Sequence, residues 1–247
     1  MYEPRQACAV LHFAPVCSSW VWINRSSSGR SVDCPLGDVS QRYVSDANCM
    51  VSRVVFLALL ATCLNLRFLI EQPASSIMNH HPKFKHMMLL AERGVLSINT
   101  THTWFGMFGG TSPKPTRLWG TPTWVQSLHR TLDKSKSWEV VTADHYIDQA
   151  GRKRVVGTKS LKSTQAYPPG YGEEVARLWE QDDHMAVLDL EDGKVKPVCL
   201  ATGRLALKSV PWDVEAWEDL NVDAVLVVLR GAALRPRCPL QGRLLLA

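Results

Sequence analysis

The residues best suited to chemistry are a carboxylate, a thiol and a set of cations spread over the first two thirds of the chain. Glu71 closes the apolar run Arg67-Phe68-Leu69-Ile70 and is followed by Gln72-Pro73-Ala74-Ser75-Ser76. A buried strand ending in Glu-Gln-Pro brings a polar pair to the carboxyl edge of a sheet, where open α/β folds bind their ligands. Pro73 should stop the pairing, having no N–H to give a ladder. Ser75 and Ser76 suit a tight turn and a helix cap. Cys17 stands in a similar place: Ala7 to Phe13 reads as a buried strand, and Ala14-Pro15-Val16-Cys17-Ser18 follows it. A thiol at the end of a parallel strand is where a nucleophile belongs, and a nearby cation or helix N-terminus favours its thiolate. An inert, half-buried cysteine is the other reading of this position. Glu71 on a neighbouring strand end can hydrogen-bond a ring nitrogen while the thiol attacks, or it can simply cap its own turn or pair with an arginine. Arg117, closing Lys114-Pro115-Thr116-Arg117, offers a cation to that site or to a phosphate, or a surface ion pair. Trp20 and Trp22 offer flat surfaces to a base or to the core.

The cations are unevenly placed. The 247-residue chain carries a net charge of +5, but Ser112 to Gln165 holds ten Lys and Arg against four Asp and Glu, an excess of six positives. Glu173 to Asp223 holds thirteen acids against five bases, an excess of eight negatives. Lys114, Arg152, Lys153, Arg154, Lys159 and Lys162 are therefore candidates to face DNA or RNA phosphate. A solvated hairpin face is the plain alternative. His80, His81 and His86 lack the i, i+4 spacing of a metal-binding helix, so no metal is expected there. Seven cysteines without a C-x-x-C pair point to a reducing compartment, nucleus or cytoplasm.

Those side chains need a scaffold. Asp46 can cap a helix to about Cys63, since Val51, Val54, Val55, Ala58, Leu59 and Thr62 recur at helical spacing. Strand, helix, strand in that order is a βαβ unit with a parallel, right-handed crossover. The run Val54 to Leu66 is too short to span a bilayer and is read as a buried helix, so no membrane is expected. Further helices are expected over Pro82 to Arg93, Pro122 to Leu132, Glu173 to Gln181 and Trp212 to Leu220. Strands are expected at Val95 to Ile98, Thr101 to Phe108, Thr116 to Trp119, Met185 to Leu190, Val195 to Leu200 and Ala224 to Leu229. Trp138 to Tyr146 and Arg154 to Val156 flank Asp148-Gln149-Ala150-Gly151 as a hairpin.

Taken in order, these segments resemble the cytosine-5 DNA methyltransferases, nearest to divergent segments in retroelement-derived and expanded eukaryotic families. Pro15-Val16-Cys17 resembles the Pro-Cys nucleophile loop and Ile70-Glu71-Gln72-Pro73 the Glu-Asn-Val segment. Phe105-Gly106 through Lys114-Pro115-Thr116-Arg117-Leu118-Trp119 resembles the later, arginine-bearing strand. Leu161 to Pro168 is similar to the Gln-x-Phe-Pro motif. The resemblance covers about residues 8–180. It implies that Cys17 adds to carbon six of a flipped pyrimidine, that Glu71 holds the ring nitrogen and that Arg117 steadies the site. S-adenosylmethionine is the cofactor it implies for an active enzyme, and none otherwise. The departures are specific: Val16 separates Pro15 from Cys17, Ser18 and Gln72 replace the usual Gln and Asn, and no Phe-x-Gly-x-Gly loop opens the chain. Gly106-x-x-Gly109-Gly110 lies far downstream and reads as a turn. The expected fold is therefore α/β, a partial Rossmann-like methyltransferase sheet over residues 1–183 with a small α+β appendage over 184–247. The expected function is a degenerate or fragmentary methyltransferase-like protein; the alternative is a non-enzymatic binding or scaffold module derived from a retroelement.

Overall fold

Strand β1 (Val10–Phe13) lies parallel to β2 (Arg67–Pro73), with Phe13 opposite Ile70. The connection between them carries the short helix α1 (Arg25–Ser28) and the 22-residue helix α2 (Arg42–Cys63). The expected strand–helix–strand unit is thus present in the computed structural model, which describes residues 9–63, 66–138, 140 and 142–191. Helix α3 (Pro82–Glu92) then leads to β3 (Asn99–Trp104) and β4 (Pro115–Gly120). The sheet order is β1-β2-β4-β3, and β4 runs antiparallel to both of its neighbours. The fold is α/β with a mixed four-stranded sheet. A separate hairpin of β5 (Ala143–Ile147) and β6 (Lys153–Gly157) follows, where the sequence placed one. Helix α4 (Pro169–Glu191) closes the described part.

Alternation along β2 divides its side chains between two cores. Phe68 and Ile70 pack with α2, α3 and Trp119. Leu69 packs on the other side with Leu118, the 3-10 helix Thr123–Leu128 and α4. Helices cover both faces, which is why the centre of β2 reads as an unbroken apolar run. Helix α2 is long and apolar enough to cross a membrane, yet ten of its residues are buried, seven of them in the first core. Each fully buried Val or Leu contributes about 1.5–3 kcal/mol, so this one face anchors the layer.

Several elements differ from expectation for local reasons. Helix α2 begins at Arg42, because Asp38 accepts from the Ser40 N–H and hydroxyl and from the Gln41 amide and so orders the entry turn. Asp46 lies within the helix and pairs with Arg42. Pro73 closes β2 as expected, sitting opposite Thr116 as its last residue, where its missing donor costs nothing. Val95 to Ile98 is not a strand, since the Val95 and Leu96 amides turn back to the Leu90 carbonyl and Leu96 enters the core. Phe105 to Phe108 leaves β3 as a 3-10 turn. The helix expected over Pro122 to Leu132 is the 3-10 helix Thr123–Leu128, ended by an extended His129. No Gly or Pro interrupts residues 173–191, so α4 continues through the expected boundary at 183–184, and Met185 to Leu190 is helical rather than strand. The segments expected at Val195 to Leu200, Trp212 to Leu220 and Ala224 to Leu229 lie outside the described residues.

Candidate active site at the carboxyl edge of the sheet

The chain leaves β1 through Pro15 and Val16 and turns at Cys17, whose carbonyl accepts from the Trp20 and Val21 amides. Gln72 latches this turn to β2. Its fully buried amide donates to the Pro15 carbonyl and accepts from the Ser76 hydroxyl, which in turn accepts from the Met78 amide. The Ile77 amide donates to the Trp20 carbonyl, and Val21 bridges Ser76. Behind the turn, the buried Arg30 guanidinium stacks 3.4 Å above the Trp20 ring. It donates to the Ser19 hydroxyl, the Asn48 side chain and the Pro35 and Val44 carbonyls. The loop that carries the thiol is therefore held from both sides. Trp20 belongs to the core, while Trp22 is half exposed.

Glu71 points from β2 to the opposite face from Gln72 and is 5% exposed. The Tyr167 hydroxyl donates to its Oε2 at 3.0 Å, and the Lys114 ammonium lies 3.9 Å from its Oε1. Oε1 has no hydrogen-bond partner among the described residues. Tyr167 stacks on Tyr171, whose hydroxyl meets His12 Nε2 at 3.3 Å, and Phe105 sits edge-on to Tyr167. Burial pushes the Cys17 thiol above its ordinary value; the Glu71 charge pushes it further and the Lys114 charge pulls it back. Burial also raises Glu71, against the pull of Lys114 and the Tyr167 hydroxyl. The resting site therefore favours a protonated thiol beside a carboxyl group that holds its proton more tightly than usual. Cys17 and Glu71 come within reach of each other's charge at one sheet edge.

Arg117 does not join them. It pairs with Gln72 in the ladder and so projects to the other face, where it donates to His102 and lies against Trp119. The cation beside Glu71 is Lys114, whose side chain is 17% exposed. Arg152 and Arg154 sit on the hairpin and share Asp148, while Lys153, Lys159 and Lys162 are exposed. Tyr167 and Tyr171 were missed as site residues, and Lys114 was read as a phosphate contact rather than as the partner of Glu71. The only nearby signal was the Tyr-Pro-Pro at 167–169, whose hydroxyl meets a carboxylate 96 residues earlier. His81 is buried edge-on to Trp20, and burial with the Arg30 and Lys83 charges lowers it to about 4. Among the described residues no cluster of His, Cys, Asp and Glu could hold a metal ion.

No family model, curated protein or solved structure matches this chain. The reading of the site therefore rests on its own geometry. The glycine segment does not fit S-adenosylmethionine. A Cβ on Gly106 would meet the Trp138 ring at 2.3 Å, and one on Gly110 would meet the Phe105 carbonyl oxygen at 2.9 Å and Pro168 at 3.2 Å. The space these glycines leave is filled by the protein itself, and Ala14 to Cys17, after β1, contains no glycine.

Proposed function

We propose that the chain is a degenerate cytosine-5 methyltransferase-like protein that binds nucleic acid and takes a pyrimidine ring between Cys17 and Glu71. Its sheet is read as the later part of a Rossmann-like methyltransferase sheet. The observation that carries the reading is the approach of Cys17, beyond the end of β1, and Glu71, near the end of β2, across one βαβ unit, with Glu71 Oε1 making no hydrogen bond among the described residues. Cys17 gives its thiol proton to water, and Glu71, held toward its protonated form, gives a proton to the ring nitrogen as the Cys17 sulfur bonds to carbon six. The C5–C6 double bond opens, and carbon five takes a proton from water. Loss of a proton from carbon five to water, expulsion of the thiolate, which regains its proton, and return of the nitrogen proton to Glu71 restore the ring. This cycle exchanges the hydrogen on carbon five without a methyl donor, and no transfer step is assigned to the chain.

The test is deuterium uptake at carbon five of cytosine in single-stranded and duplex oligonucleotides, read by mass spectrometry. The expected result is slow uptake with the wild-type protein and none with Cys17→Ser. The filled glycine segment favours a second reading, a non-enzymatic binding or scaffold module of retroelement origin. Oligonucleotide binding without exchange supports that module, and neither binding nor exchange overturns both readings.

A further inference from the structure

The backbone at Lys114 is unusual in two ways. Its φ of 35° lies in the left-handed region, and among the described residues no other non-glycine has a positive φ. It also precedes Pro115, a position that favours extended backbone. Conformations of this kind cost about 1–3 kcal/mol and persist only where their surroundings impose them. Here the Lys114 carbonyl accepts from the Phe105 amide and from the Thr116 hydroxyl, and the Gly106 amide binds the Pro113 carbonyl. The strained turn delivers the ammonium to a framed position: 4.9 Å from the Phe105 ring centre, 5.4 Å from that of Tyr167 and 3.9 Å from Glu71 Oε1. An extended Lys114 would direct the side chain elsewhere.

We propose that Lys114 is the positioning residue of this site, the fixed counter-charge that balances Glu71 and allows Cys17 to react as a thiolate. The inference rests on reading Cys17 as the nucleophile. The groups packed around Glu71 come from several elements: Lys114 from the turn before β4 and Tyr167 before α4, with Tyr171 and His12 behind Tyr167; the Glu71 and Lys114 charges act on Cys17 in opposite senses. The tyrosines stay neutral, because burial and Glu71 raise both of them. The local balance therefore lies between one carboxyl and one ammonium. When Glu71 carries a proton, or shares its charge with a ring N–H, the Lys114 charge acts alone on Cys17 and favours the thiolate.

The experiment is the pH profile of Cys17 alkylation by iodoacetamide, followed by peptide mass spectrometry, with the exposed Cys34 as internal control. Lys114→Met is expected to slow Cys17 alkylation at pH 8 by roughly threefold or more, through loss of thiolate. Lys114→Arg should retain most of the wild-type profile, whereas Glu71→Gln should shift the Cys17 profile to lower pH. An unchanged Cys17 profile in Lys114→Met, with Glu71→Gln still shifted, overturns the role of Lys114. Cys34 alkylation altered along with Cys17 in Lys114→Met means a global change, and the Lys114→Arg and Glu71→Gln profiles then decide: an Arg profile unlike wild type beside a shifted Gln profile also overturns it. The readout uses no nucleic acid, so failure of carbon-five exchange leaves this test standing, and failure here leaves the exchange test standing.

Discussion

A carboxyl group buried under Tyr167 should leave its mark on stability as well as on reactivity. Glu71 holds its proton above the ordinary 4.5, first because burial penalises its charge. The folded state then keeps that proton over a pH window in which the unfolded chain has released it. Unfolding becomes easier as pH rises through that window, so ionised Glu71 weakens the fold and protonated Glu71 does not. Glu71→Gln removes the group and can still accept from the Tyr167 hydroxyl. The expected outcome in urea unfolding is an advantage for Glu71→Gln that is small in acid and grows as pH rises past the carboxylate range. A trend of the opposite sign would show that Lys114 and Tyr167 outweigh burial and favour the carboxylate. Arg117 makes a related point. Type and neighbourhood made it a plausible site cation, but a single register position on β4 decides which face it serves.

At the scale of elements, much was legible where one local signal dominated. The apolar periodicity of α2, the Pro82 and Gly94 bounds of α3 and the turn at Asp148 to Gly151 each reflect short-range physics: helical spacing, an N–H that a first-turn proline need not supply, and a left-handed glycine. The strands expected at Ala7 to Phe13 and Phe68 to Ile70 are present, with Cys17 four residues beyond β1 and Glu71 inside β2. Long-range closure was not legible. The latch from Gln72 to Pro15 spans 57 residues, and nothing in Pro113-Lys114-Pro115 announces a lysine in a left-handed turn. Helix α2 also exposes the limit of hydropathy, because its length and composition alone would equally suit a bilayer. Its two faces separate the cases. Leu59 is 1% exposed in the first core and Leu57 is 41% exposed. Leu59→Ala is expected to cost about 2–5 kcal/mol in urea unfolding, and Leu57→Ala less than about 0.5 kcal/mol. Equal costs would mean that α2 buries the wrong face here.

Half of the excess positive charge between Ser112 and Gln165, three of six, falls on the β5–β6 hairpin and the 3-10 helix Lys159–Gln165 that follows it. This segment leads directly to Tyr167, so the basic surface and the hydroxyl that holds Glu71 belong to one continuous stretch of chain. Not every cation there is equally available. Asp148 lies within 3.3 Å of Arg152 and 2.8 Å of Arg154, and that local group of three carries one net positive charge. Lys153, Lys159 and Lys162 lie on exposed backbone outside that group. If the hairpin faces phosphate, binding should weaken with salt in proportion to the counterions these lysines release, about 0.7–0.9 in log–log slope for each phosphate neutralised. Replacing all three lysines with Gln is therefore expected to flatten the salt dependence of oligonucleotide binding by about 2–3 units, with little dependence on sequence. Asp148→Asn should act in the opposite sense, by releasing two arginines to the surface. Titrations of both variants at several salt concentrations, followed by fluorescence anisotropy, check this directly. Unchanged slopes in both would make the hairpin a solvated face and move the search for the phosphate contact to the edge around Cys17.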